Sequence, residues 1–158
     1  MNSLNKTFLT TQNYKNRNWF IIDCKEQKLG RLATIIVALL KGKVKPYYFS
    51  SMDIGDYVIL INANSIIVNK ESKHYIVSNP GRPGRSLKVK RVSECLPKFT
   101  IERAVKGMLS ESETKRLMRR IRIYNDYIHP HEAQNPIKID ISNFYSNSNL
   151  NFEFEQLS

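Results

Sequence analysis

The chain predicts an α/β domain with helices packed on a small sheet, and three observations carry that expectation. Trp19-Phe20-Ile21-Ile22-Asp23 is an apolar run of strand length ending in an acid. Leu29 to Leu40 then repeats apolar residues at helical spacing, and Asp56 to Asn62 returns to a continuous, mostly β-branched centre. A strand, a helix and a strand, followed beyond a loop region by further helical patterns, is the order expected of helices laid on a sheet.

Taken in order, residues 1–16 are polar and Asn- and Thr-rich, and read as an N-terminal arm before a domain spanning 17–140. In the first helix, positions 29, 32, 33, 36, 37 and 40 form one apolar face, widened by Ile35 and Leu39. Lys41 places a cation at the negative helix end, and Gly42 stops it. The basic exit Lys41-Gly42-Lys43-Val44-Lys45-Pro46 leads into an aromatic loop, Tyr47-Tyr48-Phe49. Asp53-Ile54-Gly55-Asp56 pairs two acids, a pattern that suggests magnesium, but a turn before the second strand explains it equally well, because Asp and Gly are turn residues. Ile66-Ile67-Val68 and His74-Tyr75-Ile76-Val77 are shorter strand candidates around a turn at 69–72. Two Pro and two Gly make 79–86 a loop. Thr100 is the expected cap of a helix with an apolar stripe of Ile101, Ala104, Val105, Met108 and Leu109. Ser110 and Glu113 have capping-box spacing and start another helix carrying Lys115 to Arg120. Ile121-Arg122-Ile123-Tyr124 alternates as a strand would. From Ile141 the chain holds no cation, and 141–158 reads as a partly disordered C-terminal extension.

At 158 residues the chain can bury an ordinary core without disulfides or metals. Its formal net charge is +11, a self-repulsion better explained by a partner than by the fold. Between Arg82 and Arg122 stand 13 of the 25 cations and only 4 of the 14 acids. That concentration is the electrostatic footprint of a polyanion-binding face, nucleic acid above all. Cys24 and Cys95 are far apart and no Cys-x-x-Cys occurs, which excludes a zinc ribbon and leaves two reduced thiols. The longest apolar run, Ile35 to Leu40, is too short to span a bilayer. The first 17 residues lack a secretory core and hold three scattered cations, so no transit peptide is expected. Richness in Asn, Ile and Lys, residues with AT-rich codons, suits a protein made inside a plastid, with a mitochondrion or an AT-rich bacterium as rivals.

The catalytic constellations are thin. His129-Pro130-His131, with His74 and Asp126 as helpers, has the residue types of a metal-dependent RNA-processing site but no further ligands at defined positions. Pro130 and Pro136 stiffen that loop without any metal. Leu29-Gly30-Arg31 has neither a Gly-x-Gly-x-x-Gly nor a Gly-Lys-Ser/Thr pattern, so it fails as a nucleotide signature, and Gly30 reads as close packing of helix on strand. No helix-turn-helix or zinc module supports a DNA-binding regulator. Gly107 inside an apolar-striped helix costs about 1 kcal/mol relative to alanine, which suggests close approach of another backbone, protein or nucleic acid.

Several blocks together resemble one family. Trp19, Asp23, Leu29-Gly30-Arg31-Leu32-Ala33, Gly42-Lys43, Asp53, Gly55-Asp56, Asn62-Ala63, Ala104-Val105-Lys106-Gly107-Met108-Leu109, Arg116, Met118, Tyr124, His129-Pro130-His131, Ala133-Gln134 and Pro136 occur in order. They are similar to the bacterial and organellar branch of the large-subunit ribosomal protein family L-thirteen, over about residues 17–138. The resemblance implies a three-layer α/β/α domain around a mainly parallel four-stranded sheet. It further implies stable incorporation into the large ribosomal subunit, direct rRNA binding early in assembly, no cofactor and no catalytic activity. Neighbouring large-subunit proteins are the other expected partners; no membrane and no small-molecule substrate are. Two departures stand out: Ser110 to Thr114 replaces the family's usual proline and glycine-rich turn, and Arg82-Pro83 displaces the second glycine of its Gly-Gly loop.

The expected RNA-contacting set joins the charge pattern to this resemblance. It comprises Lys41, Lys43 and Lys45; Arg82, Arg85, Lys88, Lys90 and Arg91; Lys106 and Gly107; Lys115, Arg116, Arg119, Arg120 and Arg122; and His129 and His131. Tyr124 is available beside the histidines for stacking or 2′-OH contacts.

Overall fold

A computed structural model describes residues 17–77 and 87–141. The N-terminal arm at 1–16, the loop at 79–86 with Arg82 and Arg85, and all of the C-terminal extension except Ile141 lie outside the described residues.

Four short strands form a wholly parallel sheet in the order β5-β2-β1-β6, with β1 at Trp19–Asp23, β2 at Tyr57–Ile61, β5 at Ile121–Ile123 and β6 at Ile137–Ile139. Parallel neighbours need crossover connections, and α1 (Leu29–Lys41) supplies the one between β1 and β2. Register puts Phe20 beside Val58 and Ile137, and Ile22 beside Leu60 and Ile139, on one face. That face packs on Leu32, Ala33, Ile36 and Leu40 of α1, Ile101 and Val105 of α2 (Pro97–Met108), and Leu117 at the end of α3 (Glu111–Leu117). Ile141, read above as the start of the extension, is buried in this same core.

β5 and β6 sit at opposite edges, so the chain between them must cross the full sheet, roughly 14 Å at the usual strand spacing. It does so over the face opposite the helices. There Trp19 stacks on its register partner Tyr57 at 4.4 Å, and His131 of the crossing segment stacks on Trp19 at 5.4 Å. The domain is thus a single α/β unit, with the helices on one face of the sheet and this crossing segment over the other.

Local chemistry explains where expectation and structure part. Ile67 makes only an isolated bridge to Lys28, and its carbonyl accepts the Leu29 N–H at 3.1 Å, so 66–68 caps the start of α1 rather than forming a strand. Thr100 is not a cap; it is buried within α2, which opens on Pro97, a residue with no N–H to satisfy at that end. Met108 lies off the apolar stripe and is exposed. A Cβ on Gly30 would meet nothing within 4 Å, so that glycine is not a packing contact. Gly55 is one: a Cβ there would fall 1.6 Å from the Leu40 carbonyl oxygen. Gly42 does end α1, at φ 74°. Lys73–Val77 (β3) pairs antiparallel with Leu87–Arg91 (β4), a strand the charge-rich sequence concealed.

Candidate nucleic-acid interface

The site follows from which acids are already engaged by cations inside the domain. The segment before β2, read as a turn, is an electrostatic junction. Asp53 receives Arg120 through both terminal guanidinium nitrogens, Nη1 at 2.7 Å. It also receives Arg116 Nε at 3.3 Å and Arg17 Nη2 at 3.5 Å. Burial pushes the Asp53 carboxyl up, but the Arg120 hydrogen bond and the Arg120, Arg116 and Arg17 charges reverse this and leave it below its ordinary value of 3.8. Three guanidiniums from the approach to β1, from α3 and from the turn after it are thereby gathered on one carboxylate.

Asp56 holds a second, more deeply buried pair. Lys45 Nζ lies 2.6 Å from Asp56 Oδ1 and 2.9 Å from the Ile54 carbonyl, and the Asn18 N–H donates to the same carboxylate oxygen at 2.9 Å. Burial pushes the Asp56 carboxyl above its ordinary value, partly offset by the hydrogen bonds from Lys45 and Asn18.

These pairs correct the expected RNA-contacting set at two positions. Lys45 and Arg120 are 6% and 5% exposed and fully engaged, so neither can reach a phosphate. Both are structural cations.

The other described cations of the expected set are exposed, apart from half-buried Lys41. Lys41 bridges α1 to α3 through Glu113 at 3.1 Å and lines one cleft with Arg116; Lys43, Lys115, Arg116 and Arg119 are exposed. Glu113 itself is held below its ordinary range by hydrogen bonds from Ser110 and Lys41. The Ser110–Glu113 spacing therefore does open α3, with the Ser110 hydroxyl donating to Glu113 at 2.7 Å. Arg122 is exposed on edge strand β5. On α2, exposed Lys106 pairs with Glu102 at 3.5 Å, and a Cβ on neighbouring Gly107 would meet nothing within 4 Å. Among the described residues nothing approaches Gly107 closely. Lys88, Lys90 and Arg91 line exposed β4, and the β3–β4 ribbon is tied to α2 by Arg103 Nη2, which donates to the Tyr75 carbonyl at 3.1 Å.

The histidines serve the crossing segment. His131 Nε2 lies 2.9 Å from the Tyr124 hydroxyl while its ring stacks on Trp19, and the His131 N–H donates to His129 Nδ1 at 3.3 Å. Both are half-buried, and Tyr124 is drawn into the same brace. Among the described residues, no group of three or more His, Cys, Asp or Glu side chains is placed to hold a metal ion, and no helix is long and apolar enough to cross a membrane.

The same buried and exposed pattern sits within a matched family. Residues 17–130 match the model for ribosomal protein L13. The chain belongs to the ribosomal protein L13 family. It is 48% identical over 138 residues to the large ribosomal subunit protein uL13c of Trieres chinensis, covering 87% of this chain and 98% of that protein. It is 41% identical to uL13 of Synechococcus elongatus over 152 residues (92% and 100%), and 39% identical to a uL13 of Prochlorococcus marinus over 142 residues (87% and 99%). Ribosomal protein L13 is a structural component rather than an enzyme, so the histidine segment has no catalytic part to play. Within this L13 domain, sequence reasoning missed the Asp53 junction, whose partners stand up to 67 residues away. Lys73 and Tyr75, the latter within an expected strand, are exposed on β3 and stood outside the expected RNA-contacting set.

Proposed function

We propose that this chain is a structural constituent of the large subunit of a plastid ribosome that binds large-subunit rRNA directly, and early in assembly. The observation that carries the reading is the remainder left after the internal pairs are formed. Asp53 and Asp56 are occupied from within, while Lys43, Lys88, Lys90, Arg91, Lys115, Arg119 and Arg122 remain exposed outside those pairs; Arg116 on Asp53 and Lys106 on Glu102 are paired but still exposed. Arg82 and Arg85 of the expected set lie outside the described residues, and half-buried Lys41 stands at the end of α1. The role of His129 and His131 is to hold the crossing segment in the shape presented to RNA. The plastid assignment is supported by the residue composition and by the similarity to the Trieres and cyanobacterial proteins.

Recognition on these terms is of backbone and shape more than of sequence. Each phosphate neutralised contributes roughly 0.7 to 0.9 to the slope of log affinity against log salt, so six contacts give a slope of about 4 to 5. Filter binding of the purified chain to large-subunit rRNA between 50 and 200 mM salt should show a fall of roughly 300- to 1,000-fold. A flat salt dependence refutes the reading. Sedimentation gives a second test: the chain should remain with large subunits after a high-salt wash.

A further inference from the structure

The β3–β4 ribbon has two faces with different surroundings. Its register pairs Lys73 with Arg91 and Tyr75 with Val89 on one face, and His74 with Lys90 and Ile76 with Lys88 on the other. The second face is anchored to the domain, because the His74 ring meets Phe99 of α2 edge-on at 6.0 Å. The first face has no such partner among the described residues: Tyr75 is 55% exposed, Leu87 53% and Val89 47%.

The charge on this ribbon is of one sign. Neither strand contains an acid, and among the described residues none of its cations forms a salt bridge. Lys73 and Arg91 stand directly opposite each other, an arrangement that opposes strand pairing. The ribbon is held to α2 by Arg103 and His74, so the opposed cations beside the exposed ring cost only roughly 0.2–1 kcal/mol, which a bound anion would relieve. A protein partner would have to bring acids to both cations and an apolar surface to the ring between them. A single-stranded nucleotide brings both together, phosphate for the cations and a base face for the ring.

We infer that this outer ribbon face is a single-strand RNA site in which Tyr75 stacks an unpaired rRNA base while Lys73 and Arg91 hold its flanking phosphates. The site rests on the rRNA-binding reading above and names a point of contact within it. Stacking on an aromatic ring is tolerant of base identity, so the site selects an unpaired nucleotide and not a particular sequence.

The test uses the full chain and transcribed large-subunit rRNA. Tyr75→Ala should weaken binding about tenfold with the salt slope unchanged, since stacking neutralises no phosphate. Tyr75→Phe keeps the ring and should bind within about twofold of the parent chain. Lys73→Gln combined with Arg91→Gln should weaken binding and lower the salt slope by about 1.4 to 1.8. Near-ultraviolet crosslinking of a thiouridine-substituted rRNA should label the peptide containing Tyr75. If Tyr75→Ala binds rRNA as the parent does, with the parent's slope, the inference is overturned while the rRNA-binding reading stands. If Tyr75→Ala loses only co-sedimentation with large subunits and keeps its affinity for bare rRNA, a protein neighbour covers the face and the inference again fails. If the parent chain itself shows no salt-dependent binding, both fail together.

Discussion

Replacing Asp53 by Asn removes one negative charge from beneath three guanidiniums and changes almost nothing else in size. Arg120 is the residue most affected, because it is 5% exposed and cannot turn to water. Removing one partner of a buried ion pair typically costs 3–5 kcal/mol. Asparagine keeps one acceptor oxygen, and Arg120 retains the Gly55 carbonyl at 3.3 Å, so the lower end, about 3 kcal/mol, is expected. With a urea dependence near 2 kcal/mol per M, the unfolding midpoint of Asp53→Asn should fall by about 1.5 M at pH 7. The pH dependence carries a definite sign. The Asp53 carboxyl is depressed in the folded state, so its stabilisation is complete above its ordinary value of 3.8 and is lost as pH falls through the lower folded value. The gap between parent and variant should therefore be constant near neutrality and narrow below pH 3.8. Equal midpoints at pH 7, or a gap that persists unchanged at pH 2.5, would show that the junction does not act as an ion-pair cluster.

The remaining expectations concern packing and reactivity. Gly55→Ala drives a methyl into the Leu40 carbonyl and should lower stability by about 3 kcal/mol in urea unfolding, the upper end of overpacking costs. Gly107→Ala should instead stabilise the free chain by about 0.5 kcal/mol, since its site is open, while weakening rRNA binding if RNA passes close to that backbone. Cys24 is wholly buried, and burial together with the Asp23 charge pushes its thiol up to about 12, whereas Cys95 is half-buried. At pH 8 the native chain should thus take up one equivalent of a thiol reagent, at Cys95, and two when denatured. His131→Ala uncovers one face of Trp19, the sole tryptophan, and should shift its fluorescence to the red. An unshifted spectrum would mean that the crossing segment does not depend on that ring.

Much of the fold was legible because period and burial coincide in it. β1, α1, β2 and β5 stand out as apolar runs or helical stripes, and their cores are the residues that periodicity selects. Gly42 and the Ser110–Glu113 spacing mark ends that local backbone chemistry alone decides. β4 and β6 were not legible. Leu87-Lys88-Val89-Lys90-Arg91 alternates, but its charge drew the reading, and Ile137-Lys138-Ile139 is three residues between a proline and an aspartate. The candidate interface was legible as a concentration of cations, not as a list of contacts.

The sequence by itself determined the amounts: enough apolar periodicity for an α/β core, an excess of cations over acids, and no catalytic set beside them. Those are sums over local properties, and they survive without knowing which residues meet. Only the tertiary structure decided the partners. Lys45 and Lys43 are chemically alike and two positions apart, yet one is buried on Asp56 and the other is exposed. Arg120 is drawn inside by an aspartate 67 residues earlier, while its neighbour Arg119 stays at the surface. Burial of a charge depends on a counter-charge brought within hydrogen-bond reach by the packing of α1, α3 and the segment before β2, and no pattern along the chain encodes that distance.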